Sequence, residues 1–247
     1  MSFSKMETFL EKHIEGFFNS KFASDLQFVE IQKNVMHIIN RNHKKMNDVL
    51  FVPNYYEVEM SEPDYERICS RKSKKMLYEY IVRNVIRENL FIAGQLCIKF
   101  CRQSSMKKGN CNINSLFREN TPDSVKNDVA ECTIVIKKPT IEEAAAMPSE
   151  HFYAGLTVVK GQDIDAHLEI GEQQIHIGRR EENEFLLTDL NVSRLHAYIS
   201  FKNYRHILSD ANSLNGTFVN GKRIQQLCLK NKDVISMGNS QLLYEVL

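Results

Sequence analysis

The sequence predicts a two-part chain: an α+β unit to about Phe117, followed by an all-β sandwich from about Phe152. Three observations predict this multidomain architecture. In the N-terminal half, apolar residues recur three and four apart, the spacing of one helix face. From Tyr153 onward, short β-rich runs alternate with turns every eight to twelve residues, as an all-β sandwich requires. Between them, 118–151 is polar and charged, broken by Thr121-Pro122-Asp123-Ser124 and Pro139-Thr140, and reads as a linker. The expected domains are therefore 1–117 and 152–247, joined by 118–151.

The helices come first. Met6, Phe9, Leu10, Ile14, Phe17 and Phe18 predict an amphipathic helix over Ser4–Phe22. A second follows, with Ser24 or Asp25 as its N-cap, Leu26, Val29, Ile31, Val35, Met36, Ile38 and Ile39 on its apolar side, and Arg41, Lys44 and Lys45 at its C-terminal end. Acidic Glu7, Glu11, Glu15 and Glu30 weaken any basic face, which favours packing on a sheet over lying on a membrane.

Pro53-Asn54 marks a turn, and Tyr56, Val58 and Met60 alternate as in a half-buried strand. Ser61 caps the next helix, with Pro63 in its first turn, and the periodicity runs on to about Glu88. Its basic cluster of Arg71, Lys72, Lys74 and Lys75 reads as a solvated face, with contact to RNA or acidic lipid as the other reading. Strands at Gln95–Cys101 and Asn110–Leu116, joined by the polar turn Gln103–Gly109, predict a hairpin. In the linker, Cys132–Ile136 could form a docked strand.

The sandwich strands are expected at 156–159, 167–170, 174–177, 185–187, 195–201, 206–208, 234–237 and 242–246. Three polar clusters fall at the strand ends: Gly178-Arg179, then Val192-Ser193-Arg194-Leu195-His196-Ala197, then Ser213-Leu214-Asn215-Gly216-Thr217-Phe218-Val219-Asn220-Gly221. A guanidinium, a loop hydroxyl and Asn/Gly turns with free N–H groups are all donors, so the clusters point to an anion site.

These three motifs in this order resemble the forkhead-associated (FHA) domain, a β-sandwich that binds phosphothreonine peptides, over roughly 153–247. By motif position the resemblance implies that Arg179 and Ser193 bind phosphate, with Arg194 assisting. It implies that Asn215 bonds the peptide backbone and that Gly178, His196, Gly216 and Thr217 support the pocket. Some family members carry a threonine where this chain has Leu214, which removes one phosphate hydroxyl and predicts a weaker pocket. Leu190, Asn191 and Leu214 are the specificity candidates. The N-terminal element order, with Val52-Pro53-Asn54 and Ser61-Glu62-Pro63-Asp64-Tyr65-Glu66-Arg67, resembles the N-terminal domain of bacterial FhaA-type proteins.

The resemblance implies a signalling adaptor in a bacterial Ser/Thr kinase pathway linked to cell-wall synthesis or division. Its expected partner is a phosphothreonine-containing protein, either a kinase or a membrane-associated cell-wall protein able to recruit it to the inner face of the membrane. A phosphorylated linker threonine, Thr121, Thr133 or Thr140, could also occupy the pocket in cis. The alternative is a scaffold acting through its N-terminal domain on nucleic acid or a membrane surface, with a weak or inactive pocket.

Composition limits the other classes. A net charge of +1 gives no field for nucleic acid, so none is expected as a partner. No eighteen-residue apolar run and no signal-peptide pattern occur, so a cytoplasmic protein without a transmembrane segment is expected. The six cysteines show no CxxC pair and no zinc spacing, which predicts reduced thiols, no metal and no cofactor. Ser193, His196 and Asp210 supply the letters of a catalytic triad, but no GxSxG elbow surrounds the serine. No enzyme is expected.

Overall fold

The computed structural model describes residues 25–46, 49–118 and 151–247, together with the backbone of 133–134. The helix expected over Ser4–Phe22 lies outside the described residues, as do Thr121, Cys132 and Thr140.

In the N-terminal unit, α1 (Phe28–Arg41) buries Ile31, Val35 and Ile39, one residue per turn on one face. Its cap is Gln27, whose backbone N–H donates to the Glu30 carboxylate at 2.8 Å. Of the two caps expected, Ser24 lies outside the described residues and Asp25 is instead 2.5 Å from Lys108 Nζ. Lys44 and Lys45 lie beyond the helix, in strand β1 (Lys44–Met46), which pairs with β2 (Val49–Val52). Strand β4 (Phe91–Ile92) runs parallel to β2 and completes this small sheet.

The second sheet is built around β3 (Tyr55–Met60), whose alternation hides Tyr56, Val58 and Met60 completely. Here the structure corrects the sequence reading. Strands β5 (Cys97–Arg102) and β6 (Cys111–Leu116) do not pair with each other. They flank β3, β5 parallel and β6 antiparallel, in the order β6-β3-β5. Strand β7 (Thr133–Ile134) pairs with Ile98 and Lys99 at the β5 edge, so the backbone of Thr133 is held in this sheet.

The long helix is also two helices. Ser61 caps α2 (Glu62–Ile68), and Ser70 caps α3 (Arg71–Arg87) by accepting the Ser73 N–H at 3.0 Å. A fully buried carboxylate, Asp64, ties this corner together. It accepts from Leu26 N at 3.2 Å, Ser61 Oγ at 2.7 Å, Gly109 N at 2.8 Å and Arg67 Nη2 at 3.0 Å. Burial alone would raise its pKa, but these donors outweigh that and hold it below the usual carboxylate value. The basic cluster occupies the first turn of α3. Lys74 is buried there, while Arg71, Lys72 and Lys75 remain at the surface.

The C-terminal unit is a sandwich of two sheets. Strands β10 (Ile175–Gly178), β11 (Phe185–Leu186), β12 (Ala197–Lys202), β13 (Arg205–Asp210) and β16 (Gln226–Cys228) form one, in the order β11-β10-β12-β13-β16. The other contains β8 (Ala154–Lys160), β9 (His167–Ile170), β14 (Thr217–Val219), β15 (Lys222–Ile224), β17 (Val234–Met237) and β18 (Ser240–Val246), in the order β15-β14-β17-β18-β8-β9. Val158, Ile177, Ile199, Leu208, Ile235 and Leu242 are fully buried between them.

Helix α3 fastens the two units. Arg83 Nη2 donates to the carbonyl of Phe152 and Arg87 Nη2 to that of Leu247, each at 3.0 Å, so both ends of the sandwich chain are gripped. The β12–β13 turn reaches the other way. Its Asn203 and Tyr204 both adopt positive φ, and Tyr204 Oη accepts the Leu96 N–H at 2.8 Å. Arg205, only 1% exposed, donates to Leu229 O at 2.6 Å, Asn89 Oδ1 at 3.1 Å and Leu90 O at 3.4 Å.

Candidate functional site

Strands β12 and β13 run away from this interface, and the three polar clusters collect at their far ends. With six residues in each strand, roughly 20 Å separates the Tyr204 turn from the loop end. The described residues of the N-terminal unit therefore leave the loops uncovered.

At the end of β10, Arg179 N donates to Ser193 O at 3.0 Å and Arg180 N to Arg194 O at 3.2 Å, which lays the first two motifs side by side. Asn183 Nδ2 reinforces the pair by donating to both Arg180 O and Arg194 O at 2.8 Å. Gly178 must be a glycine because a Cβ there would stand 2.4 Å from Arg194 O. The third motif joins through the Leu214 N–H, which donates to Ser193 Oγ at 3.1 Å, and through Asn215 Nδ2, which donates to Asn191 O at 2.7 Å.

Beneath these loops lies a buried frame. His196 is fully buried; its Nδ1 accepts the Ser193 N–H at 3.0 Å, and its Nε2 lies 3.2 Å from Gly216 O. An N–H can only donate and a carbonyl can only accept, so the ring is the neutral Nε2–H tautomer. Burial pushes its pKa down, against the opposing pull of the Gly216 carbonyl and of Asp210 and Asp189.

Two carboxylates that the motif reading did not place as supports complete the frame. Asp210 accepts from Ser213 Oγ at 2.6 Å, Ser213 N at 3.1 Å and Thr217 Oγ1 at 2.7 Å. Asp189 accepts from Asn191 N at 2.9 Å, Asn239 N at 2.6 Å and Ser240 Oγ at 3.2 Å. Burial opposes ionisation of both, yet their donors hold both pKa values low. The signal for them was present in the sequence, since Asp followed two or three residues later by Asn or Ser is the text of a side-chain-bonded turn.

The site thus has an outer and an inner layer. Arg179, Arg194, Asn215, Leu190, Asn191 and Leu214 are exposed, and Ser193 is half-buried. Gly178, His196, Gly216 and Thr217 are buried. Charge is sorted in the same way: guanidinium groups face outward, while Asp189 and Asp210 spend their oxygens on protein donors. Such a surface can hold a dianion by its donors, with the two frame carboxylates already satisfied.

No catalytic relay exists here. The serine meets His196 through its backbone N–H, the other ring nitrogen faces a carbonyl, and Asp210 bonds Ser213 and Thr217.

A two-sheet sandwich with three donor loops gathered at one end defines a forkhead-associated domain. Residues 175–238 match the FHA domain family, and residues 3–114 match the N-terminal domain of FhaA. The chain belongs to the FHA-domain proteins, with an N-terminal part of the FhaA type. It is 40% identical over 67 residues to the FHA domain-containing protein FhaA of Mycobacterium tuberculosis, a match covering 27% of this chain and 13% of that one. To the oxoglutarate dehydrogenase inhibitor of Corynebacterium efficiens it is 30% identical over 103 residues, covering 40% of this chain and 72% of the relative. Among solved structures, the FhaA FHA domain complexed with the intracellular domain of Rv3910 is 32% identical, with a TM-score of 0.35. That match covers 37% of this chain and 99% of that one.

Proposed function

We propose that this protein is a phosphothreonine-peptide-binding adaptor of a bacterial Ser/Thr kinase pathway. Arg179 and Ser193, assisted by Arg194, take the phosphate, while Asn215 holds the peptide backbone. The observation that carries this reading is the convergence of these donor residues on one loop end whose frame carboxylates, Asp189 and Asp210, are already bonded to protein donors. A phosphothreonine brings about −1.5 to −2 charges and three acceptor oxygens to that surface, whereas an unmodified hydroxyl leaves Arg179 unmatched.

The domain division that serves this role is 1–117, 118–151 and 152–247. The proposed client is a kinase or a membrane-associated protein of cell-wall synthesis, which would recruit the chain to the membrane. Of the linker threonines proposed as cis ligands, Thr133 would first have to leave its pairing with Lys99.

Binding of the full chain to matched phosphothreonine, phosphoserine and unphosphorylated peptide libraries tests the reading. Capture of the phosphothreonine set alone, lost in folded Arg179→Ala and Ser193→Ala variants, is expected. Retained affinity in those variants places the pocket elsewhere.

A further inference from the structure

Arg223 belongs to none of the three motifs. It sits on β15, opposite Phe218 of β14, and its side chain lies over the Ser213–Thr217 turn. A Cβ built on Gly216 would be 2.6 Å from Arg223 Nε and 3.0 Å from both Cζ and Nη2, so the guanidinium rests directly on the bare glycine Cα. That turn is a fixed platform: Gly216 N donates to Ser213 Oγ at 3.0 Å, and Gly216 O faces His196 Nε2. The glycine has a φ of +82°, a conformation that side chains rarely adopt, and any side chain would displace the arginine.

Arg223 is nonetheless an exposed residue, and among the described residues no carboxylate forms an ion pair with it. The two carboxylates of the loop frame are engaged elsewhere. Asp210 bonds Ser213 and Thr217, and Asp189 bonds Asn191, Asn239 and Ser240. A planar fork of donors without a carboxylate partner therefore stands on the turn that carries exposed Asn215. Such a fork matches a carboxylate or a phosphate through two parallel hydrogen bonds.

We propose that Arg223 reads a second anionic group on the bound phosphopeptide, within about three residues of the phosphothreonine at ~3.3 Å per extended residue. This rests on the phosphopeptide reading and narrows its ligand class to peptides carrying an additional carboxylate or phosphate. Arg179 and Arg223 then divide the work: the first detects the phosphothreonine, and the second selects its neighbour.

The test measures full-chain affinity for one phosphothreonine peptide in which alanine, glutamate or phosphoserine is scanned through the three positions on either side. At one position, glutamate is expected to tighten binding about two- to fivefold over alanine, the size of an exposed ion pair. Phosphoserine there should do at least as well, and a preference confined to one of the two anions identifies the source. Arg223→Gln should erase the difference while leaving the alanine peptide within about twofold, and Arg223→Lys should keep part of it.

An absence of anion preference at every position overturns the proposal, as does a preference that survives in Arg223→Gln. An equal loss for all three peptides in Arg223→Gln also overturns it, showing that the arginine only covers Gly216. Failure of every phosphopeptide to bind removes the underlying reading, a result distinct from binding that ignores the second anion.

Discussion

The Ser193 N–H points at Nδ1 of His196 across 3.0 Å, so a fully buried ring fixes the backbone of the proposed phosphate loop. Through its other nitrogen the same ring reaches Gly216 O, and one side chain couples the second motif to the third.

Replacing His196 with alanine leaves the Ser193 N–H and the Gly216 carbonyl without this partner and opens a cavity. A loss of about 2–4 kcal/mol of stability is expected, together with loss of phosphopeptide affinity. Chemical denaturation followed by peptide titration of the folded fraction checks both.

Acid should unfold the sandwich early, and the sign follows from two histidines. His206 is buried between Tyr244 Oη at 2.8 Å and Gly171 O at 2.9 Å, and burial, with Arg205 adding to it, pushes its pKa down to about 4. His196 is shifted in the same direction, again by burial. The unfolded chain therefore binds more protons below about pH 6.5, and stability present above that value falls as the pH drops toward 4. His206 alone accounts for about 3 kcal/mol across the window. Urea midpoints between pH 7 and 4.5 should fall steadily, and a folded His206→Gln variant should flatten the slope by up to about 1.4 kcal/mol per pH unit.

Most strands of the sandwich were legible because alternation acts locally, but the three-residue strands β14, β15 and β16 were not expected, being too short to show a period of two. Pairing was not legible. Alternation assigns Ile98 and Phe100 to a buried face but says nothing about which neighbour lies alongside, so β5 and β6 read as a hairpin although β3 runs between them. The break at Cys69 and Ser70 was missed although the sequence marks it: 70–75 carry no apolar residue, and Ser70 is a cap. Asp189 and Asp210 were hard to assign, since their partners are backbone and hydroxyl groups brought close by turns. The interface was least visible, because Arg83, Arg87 and Arg205 look like surface arginines until their carbonyl partners are known.

That interface predicts coupled unfolding. Arg205 is a buried guanidinium held by carbonyl and amide oxygens, and it reaches Asn89 and Leu90 from the sandwich side. Calorimetry of the full chain should show one transition. In Arg205→Ala, an expected loss of about 2–4 kcal/mol should separate it into two. Two transitions already present in the unaltered protein would show that the contact does not couple the units.

Leu214 offers the last prediction. Its side chain is 87% exposed, so the fold gains little from it, yet its backbone N–H is tied to Ser193 Oγ at 3.1 Å. A hydroxyl placed at this position stands next to the proposed phosphate donors at almost no structural cost. One hydrogen bond to a charged group contributes about 1.5–3 kcal/mol. Leu214→Thr should therefore leave the melting temperature within about 1 °C while tightening phosphothreonine binding roughly tenfold. Calorimetric titration beside a thermal melt measures both quantities. An unchanged affinity means that the position does not face the phosphate, and the specificity role proposed for Leu214 would then rest on its contact with the peptide side chains alone.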